Sequence, residues 1–308
     1  MAEMPHSGIV APAAVRVGLG PAGIPPMRRS ADRDRFVAFV RRAEDLGYAS
    51  VCVGDHLDDR GAPLLMLTAA AMETRRIALA THVLCNELRN AAVVAQEART
   101  LQVISGGRLE LGLGAGWLEA DFDAAGVEMQ PFGDRLARLE AAVTRIRALS
   151  ASPDVALPPI VMGGGGRKML AASARLADIV TLNIPLRSGA GLASNTIASG
   201  TRASFYERMR LVGDSATASG RAVALHVYVH AVHTGDGWRD TASDAADRLE
   251  MPLDAYIGSP HVLAGDVDQI VSTVSRRREE LGIGYFSVPA TSLDELAAVV
   301  TRLDDPSC

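Results

Sequence analysis

Short apolar runs alternate with longer segments of helical periodicity along most of the chain. An apolar run bounded by glycine, proline or polar residues predicts a buried strand, and apolar residues recurring roughly every three to four positions predict a helix. Strands are expected at residues 15–19, 50–53, 76–84, 109–113, 159–162, 178–182, 222–232 and 285–288. Helices are expected at residues 36–46, 63–72, 91–104, 134–149, 167–176, 201–219, 266–281 and 293–303.

This alternation of strand and helix continues through about eight units, which is typical of a (β/α)8 TIM barrel. A doubly wound open sheet is the alternative. No linker divides the sequence, so residues 1–308 are expected to form a single domain. Residues 185–200 are rich in glycine, serine and alanine without periodicity, which predicts a mobile loop that covers a site.

Composition narrows the class of protein. The formal net charge is −5, which gives no indication of a nucleic-acid partner or of an anionic membrane surface. No window approaches the ~20 apolar residues that span a bilayer, and residues 1–14 lack a signal-peptide pattern. The three cysteines, Cys52, Cys85 and Cys308, are odd in number and widely spaced, as in a reducing compartment. A cytoplasmic protein is therefore expected.

Glycines follow two of the predicted strands. Gly112, Gly114 and Gly116 leave a bare backbone that a flat ligand can approach, although a tight turn would also explain them. Gly163–Gly166 precede a predicted helix that begins with two cations. Main-chain amides, a helix dipole and positive charge favour an anion there, most naturally a phosphate, with tight packing as the alternative. Neither motif has the spacing of a dinucleotide fingerprint or a P-loop.

Polar residues at strand ends supply the candidate chemistry. Asp55 and His56 end the second strand, and in a barrel that end faces the active site. His56 is a candidate for proton transfer, and Asp55 for fixing its tautomer or binding a ring substituent; a structural cap is the alternative. Cys85 lies near another strand end, but nothing specific activates it as a nucleophile.

One face of the strand predicted at residues 222–232 is polar. Ala224, His226, Tyr228 and His230 alternate with valine and leucine, so they are expected to point into the barrel. His230, nearest the carboxyl end, is the candidate for contacting substrate. The spacing of the imidazoles along a strand and the lack of a carboxylate argue against a metal site.

Taken together, four segments closely resemble the bacterial luciferase-like monooxygenase superfamily. They are TLQVISGGRLELGLGAGW at residues 100–117, GDH at 54–56, PIVMGGGGR at 159–167 and SPHVLAG at 259–265. The resemblance covers residues 15–303 and is strongest to the subgroup that uses the deazaflavin coenzyme F420 in place of FMN. It implies a (β/α)8 barrel with an insertion loop over the C-terminal face, and a homodimer.

The resemblance also assigns residues to the cofactor. Asp55 and His56 would lie beside the deazaflavin ring, and the His82–Val83 peptide bond would be cis. The loop carrying Gly114, Ala115, Gly116, Trp117 and Asp121 would contact the cofactor's side chain, and Gly163, Gly164, Gly165, Gly166 and Arg167 its phosphate. Asn86 joins this cofactor-binding set. Related sugar-phosphate and alcohol dehydrogenases have a glutamate proton donor where this chain has Trp117, which argues against their reaction here.

These observations predict an F420-dependent oxidoreductase that transfers hydride to a C=C or C=N bond of a small molecule or biosynthetic intermediate. Asp55 and His56 are the predicted catalytic residues, with His56 as proton relay, and Trp117 and His230 are predicted to contact substrate. An FMN-dependent monooxygenase on the same barrel is the first alternative. A non-catalytic flavin-binding or partner protein is the second.

Overall fold

The computed structural model describes residues 8–150, 153–185 and 199–304. Its strands are β1 Ile9–Val10, β2 Arg16–Gly20, β3 Ser50–Val53, β4 Ala78–Thr81, β5 Leu84–Cys85, β6 Leu109–Gly114, β7 Ile160–Gly164, β8 Ile179–Leu182, β9 Val223–Tyr228, β10 Ala231–His233, β11 Val262–Ala264 and β12 Ile283–Pro289. Its helices are α1 Ser30–Asp45, α2 Pro63–Glu73, α3 Ala91–Ser105, α4 Glu119–Ala125, α5 Phe132–Ser150, α6 Arg167–Leu176, α7 Arg202–Ala218, α8 Trp238–Arg248, α9 Leu253–Ile257, α10 Val267–Leu281 and α11 Ala297–Leu303.

Eight parallel strands within the described ranges close into a barrel. Their order around it is β2, β3, β4, β6, β7, β8, β9 and β12, and each pairs with the next. The last strand, β12, also pairs with β2, so these eight strands leave no open edge. The predicted (β/α)8 barrel is confirmed, and this closure excludes the doubly wound open sheet.

Local signals explain why the helices begin and end where they do. The side chain of Asn90 accepts a hydrogen bond from the Ala92 amide at 2.9 Å and so caps the start of α3. Gly106 ends α3 with a φ of 68°, a conformation that costs glycine little. Between these caps, Val94, Ala98 and Leu101 form the buried stripe of the helix.

The chain leaves the barrel earlier than the pattern of residues 222–232 predicts. β9 ends at Tyr228, and a separate strand, β10, pairs with β11 outside the barrel. The break is fixed by backbone bonds from the Val229 amide to Ser287 and from the His230 amide to His261, each 2.8 Å long. The prediction of one continuous strand is therefore wrong.

Other differences concern short elements. The strand expected at residues 76–84 is interrupted after Thr81 and resumes as β5, with a cis peptide bond between His82 and Val83 in the gap. The sequence prediction lacks α4 and α8, in which few large apolar residues are buried, and the small layer that α8, α9, β10 and β11 form around Tyr256. Of the loop predicted at residues 185–200, residues 186–198 lie outside the described part of the chain.

Candidate functional site

A cavity of about 370 Å³ opens at the carboxyl ends of the barrel strands. Its volume falls within the range of small-molecule and cofactor sites. A larger groove between α5 and α6 is shallow and lies on the outer surface, away from the strand ends. The cavity residues come from the loops and strand ends β3 to β8: Asp55, His56, His82, Val83, Cys85, Gly114, Ala115, Gly116, Trp117, Asp121, Phe132, Gly163, Gly164, Gly165, Gly166, Met169, Thr181 and Asn183.

His56 is held in this cavity by a carboxylate from a distant part of the chain. Its Nδ1 lies 2.8 Å from Oδ2 of Asp121, in the first turn of α4. The other oxygen of Asp121 accepts a hydrogen bond from the Leu57 amide at 2.9 Å, and the carboxylate is buried. A carboxylate at Nδ1 favours the proton on that nitrogen and directs the lone pair of Nε2 elsewhere. His56 therefore has a fixed orientation, with no hydrogen bond to Nε2 from any described residue.

Asp55 also lines the cavity, and two other residues hold its carboxylate in place. Arg89 donates to its carboxylate through Nε at 2.8 Å and through Nη2 at 2.6 Å, and the Cys85 amide donates at 3.0 Å. A bidentate guanidinium pair is a strong and geometrically specific contact. Asp55 thus ties the end of β3 to the turn after β5, and Asp121, not Asp55, fixes the tautomer of His56.

A buried arginine holds the glycine loop after β6. Arg135 donates from Nη1 to the carbonyl oxygens of Ala115, at 2.9 Å, and of Gly116. Its Nε donates to the Gln130 carbonyl at 2.8 Å, and the side chain is almost fully buried. Because the guanidinium binds two successive carbonyls of the loop and one before α5, it fixes the loop that carries Trp117. The Trp117 ring meets His56 edge-on, with ring centroids 6.0 Å apart.

Some of the glycines at the end of β7 and just after it are required by packing, and another is not. A Cβ on Gly163 would collide with the carbonyl oxygen of Thr181, and one on Gly165 with the backbone of Pro185. Protein packing alone therefore requires glycine at these two positions. Gly166 is different, because a Cβ there would meet no atom within 4 Å and its φ of −86° suits any residue. It is the N-cap of α6, so its bare backbone faces open space at the positive end of a helix.

The His82–Val83 peptide bond is cis, as the resemblance implies, and both residues line the cavity. The His82 ring stacks on Tyr228 with centroids 5.6 Å apart. Burial lowers the pKa of His82 to about 4, so the imidazole is neutral at neutral pH. The Val83 side chain occupies the space where a Cβ on Gly114 would lie. The packing of Val83 therefore requires glycine at position 114.

The two histidines predicted on β9 lie in different places. His226 is inside the barrel, where Thr181 and Ser287 bind its two ring nitrogens. His230 follows the strand, and its Nε2 lies 2.6 Å from Oδ1 of Asn183. Asn183 lines the cavity and His230 does not. His230 therefore lies behind Asn183 and contacts this cavity residue through its Nε2. Burial lowers the pKa of His230 to about 4.

The structure gathers most of the predicted site residues around one cavity. Three do not line it: Asn86, Arg167 and His230. Asn86 begins a short 3₁₀ turn and lies 3.4 Å from the neighbouring Glu87 carboxylate, and Arg167 is exposed at the start of α6. Sequence reasoning did not place Phe132, Met169, Thr181 or Asn183 there. Thr181 and Asn183 lie at the carboxyl end of a barrel strand, the position from which active-site residues are expected, so the sequence could have indicated them. Phe132 begins a helix, and its position in the sequence does not indicate the site.

Two kinds of feature are absent from the described residues. These residues contain no cluster of three or more histidine, cysteine or acidic side chains arranged to hold a metal ion. Nor does that part of the chain include a helix long and apolar enough to cross a membrane.

Comparison with known proteins places this fold and site in a family. Residues 5–283 match the luciferase-like monooxygenase family, and the chain belongs to it. It is 31% identical over 186 residues to a 5,10-methylenetetrahydromethanopterin reductase from Methanolobus tindarius, covering 54% of this chain and 56% of that one. It is 36% identical over 128 residues to an F420-dependent glucose-6-phosphate dehydrogenase from Amycolatopsis mediterranei, covering 39% and 38%. The matches thus span about half or less of these curated relatives.

Solved structures agree on the fold. The coenzyme F420-dependent tetrahydromethanopterin reductase from Methanopyrus kandleri superposes with a TM-score of 0.66 at 15% identity. The superposition covers 95% of this chain and 100% of the other. This likeness supports the barrel architecture.

Proposed function

We propose that the protein is an F420-dependent oxidoreductase that transfers hydride between the reduced cofactor and a C=C or C=N bond of a small-molecule substrate. The observation that carries the proposal is the pairing, in one cavity, of an open helix N-terminus at Gly166 with a histidine held by a carboxylate. Of the curated relatives named above, the F420-dependent dehydrogenase supports the cofactor, and the 5,10-methylenetetrahydromethanopterin reductase supports reduction as the reaction class.

The residues at the start of α6 fit the anionic part of such a cofactor. The main-chain amide of Gly166 and those that follow it would bind the phosphate, because no side chain fills that space. Trp117 and the cavity-lining loop from Gly114 to Gly116 would lie along the cofactor's side chain. When bound, F420 supplies a hydride at its deazaflavin ring, and its reduced form reacts poorly with oxygen.

The acid–base chemistry falls to His56. Its Nδ1 proton is held by Asp121, so Nε2 is the atom that accepts or donates a proton in the cavity. The buried Asp121 carboxylate stabilises the imidazolium formed when Nε2 is protonated. Trp117 has only a donor N–H and cannot replace a glutamate acid. This arrangement favours reduction of an unsaturated bond over oxidation of a sugar phosphate or alcohol.

The alternative is an FMN-dependent monooxygenase, which the name of the family favours. The two differ in what reduced cofactor does with oxygen. Purified protein mixed with reduced F420 or reduced FMN, with oxygen uptake recorded, separates them. We expect binding of reduced F420 without oxygen uptake. Oxygen-coupled turnover with reduced FMN alone would contradict the proposal, and tight F420 binding with no transfer to any acceptor would support the non-catalytic alternative.

We further propose that the protein pairs with a second copy of itself through α2 and α3. These neighbouring helices expose apolar side chains: Leu65 is 74% exposed, Met72 62% and Val103 62%. Several large apolar side chains exposed on two adjacent helices are typical of an interaction site. Light scattering should give the mass of a dimer, and Leu65→Asp should shift it to that of a monomer. Leu149→Asp, which changes an exposed leucine on α5, is the matched control and should leave the mass unchanged. A monomeric wild type would contradict the proposal.

A further inference from the structure

A chain of hydrogen bonds runs along the barrel axis from the cavity to the opposite end of the barrel. It starts at Thr181, a residue that lines the cavity and whose Oγ1 lies 2.8 Å from His226 Nδ1. His226 Nε2 lies 2.7 Å from Ser287 Oγ. The ring of His226 thus joins the hydroxyl of a cavity-lining residue to a hydroxyl deeper in the barrel.

The same chain continues towards the amino-terminal ends of the strands. Ser287 Oγ lies 3.6 Å from Cys52 Sγ, which lies 3.8 Å from Ser50 Oγ. The Tyr285 hydroxyl lies 2.6 Å from Ser50 Oγ and 2.9 Å from Glu110 Oε2.

Glu110 connects the chain to the amino-terminal rim. Arg16 pairs with the other oxygen of Glu110 at 2.5 Å, and the Arg16 side chain is 35% exposed. The members of the chain project from six strands of the barrel, β2, β3, β6, β8, β9 and β12. The hydrogen bonds therefore connect the cavity to a group that reaches solvent at the far end.

Filling the interior of the barrel with these polar side chains costs free energy. Ser50, Cys52, His226 and Ser287 are each at most 1% exposed. Buried polar groups cost free energy unless all are paired, and apolar side chains of the same size would fill the space at lower cost. Each of these four has hydrogen-bonding partners on both sides, so the column has the connectivity that proton transfer along hydrogen bonds requires.

We propose that this column is a proton relay that supplies the cavity through Thr181 from the amino-terminal end of the barrel. The inference rests on the proposed function, because adding hydride to a C=C or C=N bond leaves the neighbouring atom in need of one proton. In the proposed function His56 Nε2 gives that proton to the substrate, and ligands that fill the cavity exclude the water that would otherwise replace it. The relay enters from the other side and stays open when the cavity is occupied.

The transfer balances at every member. Glu110 takes a proton from solvent beside Arg16 and gives it to the Tyr285 oxygen as Tyr285 passes its own proton to Ser50. Protons then move from Ser50 to Cys52 and from Cys52 to Ser287. Ser287 protonates His226 Nε2 while Nδ1 gives its proton to Thr181, which releases its hydroxyl proton into the cavity. One bond to hydrogen breaks and one forms at each member, and no electrons are transferred.

Isotope exchange at the Cys52 thiol tests the path without any cofactor. The infrared S–H band of Cys52, assigned by difference from Cys52→Val, is followed after transfer into D2O. Thr181→Val interrupts the hydrogen bonds between Cys52 and the cavity, and Tyr285→Phe interrupts those between Cys52 and the amino-terminal end of the barrel. The double variant interrupts both. We expect exchange in the double variant to be slower than in wild type by about tenfold or more, because only local opening remains. Equal rates in wild type and the double variant would overturn the relay.

The rate of F420-dependent turnover gives the second test. It compares two variants of Cys52, of which only one keeps an exchangeable proton. Cys52→Ser keeps a hydroxyl in the column, whereas Cys52→Val interrupts it. We expect Cys52→Val to slow turnover by about 100-fold, in the range of positioned proton transfer, and to raise the solvent isotope effect. Equal rates and isotope effects in the two variants would overturn the relay. If wild type neither binds nor oxidises reduced F420, the proposed function fails, and the thiol exchange still decides the relay.

Discussion

Gly166→Asp is expected to abolish F420 binding while leaving the protein folded. The position is open and its backbone suits any residue, so a carboxylate there meets no steric conflict. Aspartate caps helices as well as glycine or better, so the melting temperature should be unchanged or slightly higher. The carboxylate would occupy the place of the cofactor's phosphate. Two like charges about 4 Å apart near a protein surface repel by roughly 4 kcal/mol, or about 1,000-fold in affinity.

Gly237→Asp is the matched control for this substitution. Gly237 is also the N-cap of a helix, α8, also has nothing within 4 Å of an added Cβ, and does not line the cavity. The same chemical change there should leave F420 affinity as in wild type. Fluorescence titration with F420 and thermal melting measure the two properties. Wild-type affinity in Gly166→Asp would remove the start of α6 from the cofactor site.

Asp121→Asn is expected to reduce turnover by about 100-fold with little change in F420 affinity, since general acid–base groups contribute at least that much. Asparagine keeps the size of the side chain and can still accept from the Leu57 amide. It offers an N–H to His56 Nδ1, which moves the ring proton to Nε2, and it cannot stabilise the imidazolium. His56→Ala should lose as much, because it removes the proton-transfer group itself.

Asp123→Asn, an exposed acid on the same short helix, is the control and should behave as wild type. Single-turnover rates and F420 affinities separate the two roles of Asp121. Nitrogen NMR of His56 adds a direct readout, since the protonated ring nitrogen should change from Nδ1 to Nε2 in Asp121→Asn. A loss of F420 affinity at an unchanged rate would instead make Asp121 a cofactor contact, as the resemblance implies.

The barrel could be predicted because its signal is local. Each strand is a short apolar run, each helix has a periodic stripe, and both are read from neighbouring residues. The position of the site follows for the same reason, since Asp55, His56 and the two glycine loops all stand at strand ends. The elements that escaped prediction, such as α4 and α8, have few buried apolar residues and so leave little periodicity.

The connections within the site could not be predicted, because they join residues far apart in sequence. His56 and Asp121 are 65 positions apart, and no pattern in either segment indicates their hydrogen bond. The pairing of Asp55 with Arg89, 34 positions further along the chain, is likewise not indicated by either segment. The run Gly163–Gly166 gives no sign that packing requires two of its members while a third faces open space. These distinctions depend on the atoms opposite each residue in the folded chain.

The most direct test of the central claim is an equilibrium titration of the purified wild-type protein with F420 and, separately, with FMN. The cavity at the strand ends and the open start of α6 predict saturable binding of a single cofactor per chain, and the similarity to F420-dependent relatives predicts that F420 binds more tightly than FMN. Calorimetry that detects no uptake of F420, or that gives FMN the higher affinity, would contradict the account.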